Sequence, residues 1–204
     1  MTACHLKISV EKKQKLEAQI KRDHPKIQIY YNEVHKKCSA YFDAFSKIYN
    51  GKCAYCGSAI QFTGLDSFEV DHFMCENKFD NSLQGRIEAG KLENLIFSCY
   101  TCNRGKGNLL ISDHYCKALN PDDSSIAKVF CRDRSYYIRL QDNYAKDEAT
   151  QKFYNSLKLG FQIRRIDYLL QKMEHLKQKV KNKANQDKLG HAIAQLMKKK
   201  NSML

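Results

Sequence analysis

No apolar run in the 204 residues approaches the roughly 18 needed to cross a bilayer. The opening MTACHLKISVEKKQ has no apolar core of the signal-peptide kind. These two absences predict a soluble, cytoplasmic protein without a membrane partner. Acidic residues are also in short supply, with 22 Asp and Glu against 35 Lys and Arg and a formal charge of +13. Such an excess favours a polyanionic partner, nucleic acid ahead of an anionic membrane surface. Only two prolines interrupt the chain, and Pro25 is read as dividing the charged N-terminal region into two helices. No internal repeat is evident. Cysteine is plentiful at nine, but the number is odd and nothing marks the chain for secretion, which argues against a disulfide framework. Clustered cysteines in a reducing compartment more often hold metal.

The length suits one ordinary core, and a second independent domain would be tight. Four stretches are expected within one compact unit. Residues 1–50 are charged and helix-like, with Ala40, Tyr41, Ala44, Phe45, Ile48 and Tyr49 near 3.6-residue spacing up to a stop at Asn50-Gly51. Residues 51–112 carry paired cysteines, glycines and short apolar strands such as FEV and NLIFS. Residues 113–146 read as turns and a small hairpin, with AKVF and YYIRL as strands around CRDRS. Residues 147–204 are helical again, with an apolar stripe from Phe153 to Val180 that is read as core packing. From Arg164 to Lys200 eleven basic residues face only three acids. A solvated basic face and an auxiliary contact to a nucleic-acid backbone are both open readings of that run.

Cys53-Ala54-Tyr55-Cys56 and Cys99-Tyr100-Thr101-Cys102 are two Cys-x-x-Cys pairs, each placing two thiolates within reach of one ion. Together they supply the four sulfurs of a closed, structural Zn²⁺ site. The 42 residues between the pairs exceed the ordinary ribbon spacing of about 15–20, so something is inserted. The insert contains Asp71-His72. Cys4, Cys38, Cys75, Cys116 and Cys131 lack such pairing and are expected to be free thiols.

The ordered set Cys53-x-x-Cys56, Asp71-His72, Glu93-Asn94-Leu95 and Cys99-x-x-Cys102-Asn103 resembles the zinc-bearing HNH endonucleases. The resemblance covers about residues 51–110. It implies an α+β fold with a ββα-metal, treble-clef-like core, a structural Cys4 zinc site, and flanking N- and C-terminal helices. It also implies a metal-dependent phosphodiester hydrolase, with DNA as the expected substrate. His72 would be the general base, since an imidazole titrates near neutral pH. Asp71 and Asn103 would hold a catalytic Mg²⁺ or Mn²⁺, for which oxygen donors are the natural ligands. Asn94 would orient the loop and the histidine. Many family members carry histidine at the third motif position, and some another four residues later, where this chain has Asn103 and Gly107; that departure disfavours Zn²⁺ as the catalytic ion.

Arg104 and Lys106 follow in NRGKG, and one of them is expected to contact a phosphate. Glu69 and Asp80 could serve as auxiliary ligands but are read first as ordinary polar surface residues, and Asp113-His114 is read as a surface turn. The tract FYNSLKLGFQIRRIDYLLQKM is similar to the C-terminal helices of HNH proteins that act in anti-phage defence with an ABC- or SMC-like ATPase, the Septu type among them. That similarity implies an ATPase partner. Two other readings use the same residues: a non-catalytic zinc module that binds nucleic acid, and a thiol redox protein. The latter leaves Asp71, His72, Asn94 and Asn103 without a role.

Overall fold

The computed structural model describes the backbone of residues 3–203 and the side chains of residues 10–203. In chain order the helices and strands are α1 (Ala3–Asp23), α2 (Tyr31–Val34), α3 (Ala40–Ile48), α4 (Ile60–Thr63), β1 (Phe68–His72), α5 (Leu83–Ala89), β2 (Leu95–Cys99), α6 (Tyr100–Lys106), α7 (Asp113–Leu119), α8 (Ile126–Val129), β3 (Phe130–Arg132), β4 (Ile138–Leu140), α9 (Glu148–Ser156), α10 (Gln162–Lys179) and α11 (Lys183–Asn201). Strands β1 and β2 pair antiparallel, with Phe68 opposite Cys99 and His72 opposite Leu95, and β3 pairs antiparallel with β4. The β1–β2–α6 succession is the ββα unit expected of the insert and its second cysteine pair. It is an α+β arrangement.

Alternation along β1 gives the strand two jobs. Phe68 and Val70 enter the aromatic core, where Phe68 stacks on Phe97 at 5.1 Å between ring centroids and Phe42 of α3 meets Phe97 edge-on at 5.8 Å. Glu69 and Asp71 point to the other face, toward α6. Helix α3 begins where Ser39 accepts a hydrogen bond from the Phe42 amide, and it ends before Asn50 and Gly51, both in the left-handed region. The expected apolar spacing is thus cut at the expected stop.

The N-terminal region holds a third element that the reading of two helices omitted. A single turn, α2, stands between the long helix ending before Pro25 and α3, tied by the Tyr31 amide to the Gly90 carbonyl. One turn has too little periodicity to announce itself. The hairpin also differs in extent: Ala127, Lys128 and Val129, read as strand, form the turn α8, and the ladder runs over Phe130–Arg132 and Ile138–Leu140. Asp113 and His114 open the helix α7.

The C-terminal basic run divides in a way that composition does not reveal. Most of its lysines face solvent, but Arg164 and Lys200 are buried. Lys200 of α11 reaches Asp167 Oδ1 of α10 at 2.8 Å, off hydrogen-bonding alignment, and donates to the Phe62 carbonyl at 3.0 Å. Ser58 donates to the other oxygen of Asp167. An ion pair beneath the first cysteine knuckle therefore fastens the C-terminal helices to the core. Asp167→Ala would strand the Lys200 ammonium without its partner, and we expect a loss of about 3–5 kcal/mol. Denaturant unfolding measures it, and a cost below about 1 kcal/mol would show that Lys200 escapes to water.

Candidate active site

The first cysteine pair sits in a tight turn. The Gly57 amide donates to the Cys53 carbonyl, the Cys53 amide to the Ser58 carbonyl, and the Ala54 amide to the Phe97 carbonyl of β2. The second pair spans the last residue of β2 and the first turn of α6. This joins the sulfurs of Cys53, Cys56, Cys99 and Cys102, all buried and all within 4.8 Å of one another. Cys56 and Cys99 are 3.7 Å apart. A zinc tetrahedron with Zn–S bonds of about 2.3 Å has sulfur–sulfur edges of about 3.8 Å, so the cluster fits Zn²⁺. It is closed, with no face open to a substrate.

Arg164 of α10 supplies an outer shell to the sulfurs, its guanidinium reaching Cys99 Sγ at 3.6 Å and Cys102 Sγ at 3.3 Å. Burial works against its charge, yet the surrounding sulfurs hold its pKa above the ordinary arginine value. Four thiolates on one Zn²⁺ carry a net negative charge, and a buried cation offsets it. Gln171 and Arg132 add hydrogen bonds to the Gly57 and Cys56 carbonyls at 2.6 and 3.1 Å. The remaining described cysteines, Cys38, Cys75, Cys116 and Cys131, are free. The side chain of Cys4 lies outside the described residues.

On the far end of the same ββα unit is an open cleft of about 550 Å³, lined among others by Glu69, Asp71, His72, Asn103, Arg104 and Lys106. Its floor follows from matched periods. Asn103 and Lys106 lie three apart on α6, on one helix face, while Glu69 and Asp71 lie two apart on one strand face. Asn103 Nδ2 donates to Glu69 Oε2 at 2.5 Å, and Lys106 Nζ approaches Asp71 Oδ1 at 3.2 Å. Gly105 lies between them, where a Cβ would overlap the Ser156 carbonyl oxygen, so α6 can lie this close to α9 only with glycine there. Gly107, at φ +47°, ends α6 directly after Lys106.

Asp71 is buried. Its Oδ2 accepts from the Tyr55 hydroxyl at 2.7 Å, so a residue inside the first knuckle braces the carboxylate. Burial raises its pKa to about 6 against the opposing pull of Lys106 and Tyr55. His72, on the opposite strand face, packs on the Tyr31 ring at 4.3 Å and stands 3.7 Å from Glu76. Burial lowers the His72 pKa, with Lys106 and His35 acting the same way and Glu76 opposing. The imidazole is therefore held neutral to lower pH than usual.

Asn94 lies just before β2, with its amide donating to the Met74 and Ala89 carbonyls at 3.0 and 2.8 Å while its oxygen accepts from the Met74 amide at 2.8 Å. Its own carbonyl accepts from the Phe73 amide at 2.7 Å. These bonds bind the chain as it leaves His72; no bond joins the Asn94 side chain to the imidazole itself. Arg104 is largely exposed, 3.4 Å from Glu69 and with its guanidinium over the Tyr100 ring. Lys106 differs from it. Its ammonium is buried and committed to Asp71 and to the His72 and Phe73 carbonyls, at 2.8 and 3.4 Å for the latter two. Of the two cations expected near phosphate, Arg104 alone is free to reach one; Lys106 is a strut under the end of β1.

Two groups in the cleft escaped the sequence reading, and a third was underrated. Glu69, read first as surface and only second as an auxiliary ligand, joins Asn103, and its position two residues before Asp71 was the available signal. Tyr31 opens α2 and His35 directly follows it, the two rings stacked at 4.6 Å, and nothing local to them points to a strand some forty residues on. Asp80 accords with its surface reading, capping the turn at Ser82.

Comparison with curated proteins and with solved structures returns no match. Residues 53–109, from the first cysteine of the cluster to just past α6, match the HNH endonuclease family model.

Proposed function

We propose that the protein is a metal-dependent endonuclease that hydrolyses phosphodiester bonds, with DNA as substrate. The observation that carries the reading is the convergence, at one end of an HNH ββα unit, of a half-buried neutral imidazole with the oxygen donors of Glu69, Asp71 and Asn103. His72 takes the proton of the attacking water, its basic form favoured by burial. Tyr31 and Glu76 hold the ring, and Asn94 fixes the backbone after it. Arg104 meets the phosphate from the rim of the cleft.

Asp71 and Asn103 are the residues that would hold Mg²⁺ or Mn²⁺. The Asn103 amide nitrogen is turned to Glu69, which leaves its oxygen for an ion, and the Asp71 and Asn103 oxygens are both hard donors suited to either metal. Bound there, such an ion supplies charge neutralisation at the scissile phosphate and leaving oxygen. The rival reading, a zinc module that binds nucleic acid without cutting it, has one observation on its side: the Lys106 ammonium already rests on Asp71. The resemblance of the C-terminal helices supports an ABC- or SMC-like ATPase in anti-phage defence as the cellular setting.

Supercoiled plasmid incubated with the protein and Mg²⁺, Mn²⁺ or EDTA tests the reading, first alone and then with single-stranded DNA, RNA and a candidate ATPase added. Cutting that needs the divalent ion supports it. Binding without cutting under every one of these conditions supports the zinc module.

A pH dependence follows from the two titrating groups. Both work deprotonated; burial lowers His72 and raises Asp71 to about 6, so protonation of Asp71 gives the rate an acid limb near that pH. The rate is expected to fall as pH drops through about 6. Proton and cation compete for one carboxylate, so the limb should shift to lower pH as Mg²⁺ is increased. A limb indifferent to Mg²⁺ concentration would remove Asp71 from the metal site.

A further inference from the structure

Outside the cleft, the small hairpin and the helix beneath it gather arginines and tyrosines into a second surface. Arg132 lies over the Tyr168 ring at 4.4 Å, and Lys172 approaches the same ring at 5.3 Å. Tyr137 is flanked in the same manner by Arg139 at 5.0 Å and Arg165 at 5.4 Å. Two rings thus hold four cations in place around the hairpin and α10, with Arg132 on the ladder face of Ile138 and Arg139 on the other. The one acid of the hairpin, Asp133, is tied to Arg139 at 2.9 Å and accepts from the Ser135 and Tyr137 amides, so it does not oppose an incoming anion.

At the tip the Tyr136 amide donates to the Asp133 carbonyl and the Asp133 amide to the Tyr137 carbonyl, a three-residue loop whose last position is left-handed. Tyr136 has φ +68°, a conformation that glycine or asparagine adopts easily and a bulky ring does not. Its ring meets Tyr168 at 5.6 Å but stays 45% exposed. Arg134, two residues earlier, is exposed and has no ion pair among the described residues. A flat aromatic held out of the surface beside unpaired cations is the arrangement that takes an unstacked base and its phosphates. A duplex keeps its bases stacked on each other and offers such a ring nothing.

We propose that the β3–β4 hairpin and the adjoining face of α10 form a stacking platform for a single nucleic-acid strand, with Tyr136 as the stacking ring and Arg134 and Lys172 as phosphate contacts. The platform feeds a strand to the protein whether or not the cleft cuts it. It is therefore tested without added Mg²⁺ or Mn²⁺, and its failure is a separate result from failure of the nuclease reading.

The measurement is fluorescence anisotropy of labelled 20-mers, dT, rU and a DNA duplex, titrated with full-length protein in EDTA-free, Mg²⁺-free buffer so that the zinc is retained. Tyr136→Gly with Lys172→Gln is expected to weaken single-strand binding about tenfold or more, the loss of a base stack and a phosphate contact, and to leave duplex binding nearly unchanged. Arg134→Glu, at a side chain that supports nothing in the fold, gives the same direction should the double variant fold poorly. The dT and rU arms tell whether the strand is DNA or RNA. Unchanged single-strand affinity in both variants, equal losses for strand and duplex, or no binding of either strand by the wild type would each overturn the platform.

Discussion

Replacing His72 with alanine is expected to reduce plasmid cleavage by about 10²–10⁴-fold, the usual span for removing a general base, while zinc content and melting temperature stay near wild type. The separation of effects comes from the fold. His72 lies at the end of β1, half-buried against Tyr31 and Glu76, and it contributes neither a zinc ligand nor a member of the aromatic core. The backbone at His72 is held without the side chain, since Lys106 bonds the His72 carbonyl and Asn94 accepts from the Phe73 amide. Cleavage at the wild-type rate in the variant would remove His72 as the base. A variant that loses zinc or melts far earlier would instead mean that the ring is structural.

Cys99→Ser is expected to act in the opposite sense, on the fold first and on activity only as a consequence. Zinc bound by such a site contributes roughly 10–16 kcal/mol in isolated finger peptides, comparable to the whole stability of a typical domain at about 5–15 kcal/mol. Cys99 ends β2 and opens α6, so it joins the two elements that carry Asp71's partner strand and Asn103. Losing it also leaves Arg164 buried against a broken cluster. We expect substoichiometric zinc by metal analysis and a melting temperature lower by about 10–20 °C, which corresponds to roughly 5 kcal/mol in a chain of this size. Full zinc content with an unchanged melting temperature would show that the four sulfurs do not share a structural ion.

The two zinc-site knuckles and the Asp71-His72 pair were legible in the sequence because each is local. A Cys-x-x-Cys turn and a strand ending in Asp-His are short stretches whose chemistry does not depend on what lies elsewhere. The hairpin and the N-terminal helices were legible only in outline. A turn such as Ala127–Val129 beside a strand offers no period long enough to separate the two.

Charge was where composition misled most. The basic C-terminal run reads as an outward face, either solvated or in contact with a nucleic-acid backbone, yet Arg164 and Lys200 lie inside, on the clustered sulfurs and on Asp167. Whether a lysine faces water or a carboxylate depends on which acid the fold brings to it, and Asp167 and Lys200 are more than thirty residues apart. The same holds for Arg104 and Lys106. They are neighbours in a glycine-rich turn by sequence, but α6 turns one toward solvent and the other under Asp71.

By itself the sequence determined the ligand chemistry of this protein: four thiolates in two pairs, an Asp-His step, an asparagine after the last cysteine, and a strong positive charge. Only the tertiary structure decided which side chains share a site. It brought Glu69 to Asn103, Tyr55 to Asp71 and Tyr31 to His72. The reason is physical: residue type and spacing set what a side chain can bind, whereas its partner, burial and pKa arise from elements distant in the chain packing against it.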